Sequence, residues 1–96
     1  MLFVALMKLR EGKLQDAMER RLQWEDPEGM RVVAEYWLQT EDPMVVNVFE
    51  TDSQEAMIEN TVAWTDIFES RVFPALKAED GIELIKKVTG ERISAG

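Results

Sequence analysis

The sequence predicts one α+β domain built on an antiparallel sheet, and three observations predict it. Apolar runs rich in Val and aromatics alternate with segments whose apolar residues recur at helical spacing. A short turn joins the two middle strand runs, which makes them an antiparallel hairpin. Several strand runs are apolar on both faces, the pattern of strands buried on two sides. The 96 residues fit one domain, and 46% hydrophobic with 31% charged residues is a globular composition.

Each element follows from its residues. Leu2 to Leu9 is a continuous apolar run, hence a strand, and Gly12 punctuates it. Leu14, Ala17, Met18 and Leu22 recur at helical spacing opposite charged residues, predicting a helix over about 13–24. Pro27 and Gly29 break the chain. Met30 to Gln39 and Met44 to Glu50 read as strands around a Thr40–Pro43 turn. Thr51 with Gln54, or Asp52 with Glu55, makes a capping box for a helix from about Gln54 to Phe68. Met57, Thr61, Trp64 and Phe68 share one face of that helix. A short strand spans Arg71 to Leu76, with Pro74 suiting an edge or strand end. A last helix spans Ala78 to Val88, with Gly90 as its C-cap. The domain is expected to cover 1–90, with 91–96 a flexible tail.

The order βαββαβ with an extra C-terminal helix is the ferredoxin-like arrangement. Two main helices cover only one face of its sheet. The other face carries apolar residues as well, and a second copy of the chain is the simplest cover. A homodimer is therefore expected.

Composition excludes much chemistry. Cysteine is absent, which removes disulfides, thiolate nucleophiles and Cys-based metal sites. Histidine is absent too, which removes the Ser-His-Asp triad and the commonest metal ligand. Any general acid or base is Asp, Glu, Lys or Tyr. The net charge of −8 repels nucleic acid and anionic membranes, and no phosphate-binding glycine loop occurs. The charge is uneven: from Glu25 to Glu69 stand 12 acidic residues and one basic residue, Arg31. That stretch is either a solvated acidic surface or a patch for a basic partner. Met1 to Met7 is too short for a signal sequence and lacks a preceding positive region, so a cytoplasmic location and no membrane span are expected.

The element order and the two-sided sheet resemble the dimeric α/β-barrel superfamily, in which two ferredoxin-like subunits pack sheet to sheet. The run from Ala63 to Leu76, AWTDIFESRVFPAL, resembles the C-terminal signature of a family within it, domain-of-unknown-function family 3303. That resemblance implies a fold and a dimer but no reaction. The superfamily includes cofactor-independent monooxygenases, haem-degrading enzymes, isomerases and ligand-binding sensors. The lack of histidine sets haem chemistry aside here.

The candidate ligand-binding residues are Tyr36, Asn47, Trp64 and Asp66. By the resemblance, a small apolar cavity lies between the sheet and the two helices. Trp64 either walls that cavity or anchors the core. Asp66 either acts as an acid or base or bonds the backbone or Arg71. If Gln39 pairs with Met44, Tyr36 lies opposite Asn47 on one face. The pair then orients a ligand, or its members satisfy each other, or both enter the dimer interface. Glu35 lies on the opposite face from Tyr36, where it is either a buried candidate base or a carboxylate that reaches the sheet edge and pairs with Arg31 or a residue of a second subunit. Glu55 and Glu59 are four apart, a spacing common on solvated helix faces, so no metal and no cofactor is expected. The expected function is binding of a small apolar ligand or a protein partner without catalysis. The alternative is a cofactor-independent monooxygenase or isomerase acting on a small hydrophobic substrate.

Overall fold

Seven elements follow one another in the expected order: β1 (Leu2–Leu9), α1 (Leu14–Gln23), β2 (Met30–Trp37), β3 (Val45–Thr51), α2 (Gln54–Trp64), β4 (Phe68–Ala75) and α3 (Ala78–Ala95). They come from a computed structural model that describes residues 1–95, with side chains up to residue 90. The strands form one antiparallel sheet in the order β2-β3-β1-β4, so the fold is ferredoxin-like α+β with a C-terminal helix.

Alternation along the strands divides the sheet into two faces. Phe3, Ala5, Met7 and Leu9 of β1 join Val45 and Phe49 of β3 on the helix side. Ala17 of α1, Trp64 of α2, Ile67 and Phe68 close this core, and Ile67 is completely buried. Leu2, Val4 and Leu6 point the other way, beside Val46 and Val48 of β3. Among the described residues, no helix covers that second face. Tyr36 and Phe73 lie on it and are largely exposed.

Two glycines adopt backbone conformations that side chains disfavour. Gly12 has φ +75° in the turn into α1, and Gly29 has φ +91° in the turn into β2. The Gly29 carbonyl accepts a 2.8 Å hydrogen bond from the Thr51 hydroxyl, which ties that turn to the end of β3.

Several boundaries differ from the sequence reading, each for a local reason. Thr51 is paired with Met30 in the ladder, so it closes β3 rather than capping α2. Ser53 is the N-cap, and its hydroxyl oxygen accepts from the Ala56 amide at 3.1 Å. α2 ends at Trp64, and Phe68 opens β4 opposite Leu9. The buried face of α2 is centred on Ala56 and Trp64, while Ile58 and Val62 stand exposed on its outer side. On α1, Leu22 is 87% exposed. It lies five residues beyond buried Ala17, roughly 140° around the helix. α3 runs past Gly90, the expected cap, to Ala95. Of the expected tail, the side chains of residues 91–96 and the whole of Gly96 lie outside the description.

α3 stands away from the rest of the domain. The radius of gyration is 17.2 Å and the longest dimension 59 Å, against a radius of about 12.5 Å for a compact domain of this length. Its apolar residues Ile82, Ile85 and Val88 all remain exposed. Among the described residues, no helix is long and apolar enough to cross a membrane.

Candidate functional site

A cavity of about 120 Å³, open on one side to solvent, lies between the sheet and the two helices packed on it. The sheet supplies its floor through Met7 of β1, Val45 and Asn47 of β3, and Glu35 and Trp37 of β2. Met18 and Arg21 of α1 form one wall, continued by Trp24 and Asp26 beyond the helix. Asn60 and Trp64 of α2 form another. All three tryptophans of the chain line this one space.

The tryptophans are held by packing and by their indole N–H groups. Trp64 is only 6% exposed, and its ring meets Trp24 edge to face at 5.3 Å and Phe68 at 5.9 Å. The Trp24 indole N–H donates to Asp26 Oδ1 at 3.1 Å. The Trp37 indole N–H donates to Glu35 Oε2 at 2.7 Å. Arg21 Nε donates to the same carboxylate oxygen at 3.0 Å. Glu35 is thus a fixed, ion-paired carboxylate in the cavity wall, and its partner is Arg21 of α1.

Asn47 behaves differently. Its side-chain oxygen is buried and has no hydrogen-bond partner among the described residues. An unpaired buried amide oxygen costs on the order of 1–3 kcal/mol, and few persist in native structures.

The register decides which predicted residues meet here. Glu35 pairs with Asn47, and Tyr36 pairs with Val46. The expected opposition of Tyr36 and Asn47 is therefore off by one residue, and the two side chains point to opposite faces. The hairpin closes one residue earlier than Gln39, with the Leu38 amide donating to the Met44 carbonyl at 2.7 Å. A register shift between Val32 and Ala34 then lets Met30 and Val32 face the helices along with Glu35 and Trp37. Asn47 and Trp64 line the cavity, while Tyr36 is 60% exposed on the uncovered face. Glu35, Trp37 and Trp24 enter the site instead. The signal for Trp24 is its spacing of seven residues from Ala17, which continues the sheet-facing side of α1 just past the helix end.

Asp66 lies outside the cavity in a separate clamp. Arg20 of α1 donates to both of its oxygens, at 2.7 and 3.0 Å, and also to the Ala63 carbonyl in the last turn of α2. The guanidinium lies 5.6 Å from the centre of the Trp64 ring. Arg71 instead approaches Asp42. The Arg20 hydrogen bonds hold the Asp66 carboxyl below its ordinary range. A depressed carboxyl adds stability above its unfolded-state value and loses it as pH falls through the lower folded value. Thermal unfolding followed below about pH 4 therefore shows a weaker loss of stability in Asp66→Asn than in the unaltered chain. Identical slopes for the two proteins would mean that the clamp does not contribute.

Neither a curated protein nor a solved structure matches the chain significantly. A family model does match, over residues 1–89, and it takes in both the sheet and the helices that wall the cavity. The chain belongs to the family described as Domain of unknown function (DUF3303).

Proposed function

We propose that this protein is a homodimer that binds a small, largely apolar ligand in the cavity of each subunit without transforming it. The buried, unpartnered oxygen of Asn47 in a tryptophan-lined space carries this reading. A core residue chosen for stability alone would be apolar there, whereas a ligand donor gives the amide its missing partner. The roughly 120 Å³ available compares with the about 150 Å³ of an apolar cavity that takes up benzene. It suits a group of about six heavy atoms, with the remainder at the open mouth. Met7, Met18 and Met44 in the lining adapt readily to irregular shapes.

Catalysis finds less support. The Glu35 carboxylate is already engaged, its Oε2 accepting from both Arg21 and Trp37.

The dimer is supported by two unpartnered apolar surfaces on one chain: the sheet face bearing Val4, Leu6, Val46 and Val48, and the Ile82–Val88 side of α3. A second copy meets both needs in one symmetric assembly.

Titration of tryptophan fluorescence with small aromatic probes tests the pocket. Asn47→Leu is expected to lower affinity at least tenfold while the mass in solution stays unchanged. Its stability should stay the same or rise by about 1 kcal/mol, because an unsatisfied amide is removed. A substantial loss of stability with unaltered probe binding would make Asn47 a structural residue and remove the basis of this reading.

A further inference from the structure

Resting on the pocket reading above, the geometry points to a small organic ammonium ion as the class of ligand this cavity takes. The walls carry two carboxylates, Asp26 and Glu35, against one guanidinium, Arg21, so the lining is one negative charge in excess. The chain as a whole carries −8, which draws cations and repels anions. The Trp24 and Trp64 rings pack edge to face at 69° and both line the cavity, and indole faces carry negative quadrupole charge. Trp37 adds a third indole at the rim. Aromatic faces beside a carboxylate compensate an ammonium for its lost water.

The hydrogen-bond inventory points the same way. Both donors to Glu35 reach Oε2, which leaves Oε1 without a donor among the described residues. Glu35 and Asn47 are cross-strand partners, and both residues line the cavity floor. Two acceptors, one of them charged, match the several N–H donors of an ammonium. A carboxylate ligand would face Glu35 with like charge, and a hydrocarbon would leave Asn47 unpaired.

Three probes of one shape test this: benzylammonium, benzyl alcohol and benzoate, each titrated against tryptophan fluorescence at neutral pH. Benzylammonium is expected to bind about tenfold or more tightly than benzyl alcohol, and benzoate more weakly than either. In Glu35→Gln the preference for the cation over the alcohol should vanish, while alcohol binding persists. Equal binding of alcohol and ammonium by the unaltered protein overturns the cation assignment but leaves the pocket standing. Failure of all three probes to bind overturns both. Should Glu35→Gln not fold, the comparison among the three probes on the unaltered chain still decides the matter. An undiminished cation preference in a folded Glu35→Gln variant would remove Glu35 from the site.

Discussion

Trp64→Ala is expected to destabilise the protein by about 3–5 kcal/mol. The indole is 6% exposed and packs on Trp24 and Phe68, with the Arg20 guanidinium on its ring. Truncation deletes a large buried surface at the point where α1, α2 and the sheet meet. It also enlarges the existing cavity, so little collapse can offset the loss. A domain of this size has a total stability of only about 5–10 kcal/mol, so the variant sits near its unfolding midpoint at moderate temperature. Chemical denaturation measures the difference. A loss below half a kilocalorie per mole would mean that Trp64 serves the ligand rather than the core. Trp64→Phe keeps most of the apolar area and should recover more than half of the loss.

Val48→Glu is expected to abolish self-association. Val48 sits in β3 opposite Val4 of β1 and Ala34 of β2, at the middle of the uncovered sheet face. Interfaces that join two sheets resemble a core cut in half and commonly exceed about 1,600 Å² in total. A carboxylate at the centre of such an interface loses its hydration without gaining a partner, which costs several kilocalories per mole. That raises the dissociation constant by about a thousandfold or more. Light scattering at micromolar concentration should give twice the 11.1 kDa chain mass for the unaltered protein and the single chain mass for the variant. Tyr36→Ala, at the rim of the same face, should weaken the dimer by about 1–3 kcal/mol without altering probe binding in the cavity. A cooperatively folded monomer of the unaltered chain would overturn the proposed assembly. In that event the apolar sheet face and α3 would need a different partner.

The elements themselves were legible in the chain because each is specified over short range. The unbroken apolar run of Leu2–Leu9 reads as a strand with two buried faces, and β1 has those bounds. Val-rich runs around a turn read as a hairpin, and β2 and β3 pair as one. The number and order of elements then left the ferredoxin-like sheet as the natural arrangement. Trp64 and Asn47 both line the cavity, each on an element whose kind is set by local pattern.

Tertiary structure decided what depends on a single residue of register. Alternation in a strand has period two, so one residue of slip exchanges the faces. The early closure at Leu38 and the shift near Val33 sent Tyr36 to the open face and brought Glu35 and Trp37 to the cavity. No local residue preference encodes such a shift. The partners of charged residues were equally hidden: Asp66 lies 46 positions from Arg20, a pairing that exists only once α1 has packed beside α2. Sequence thus determined the kinds of elements and their order, through periodicity and turn chemistry. Only the folded chain determined which side chains share a space, because that depends on pairings between segments distant in sequence.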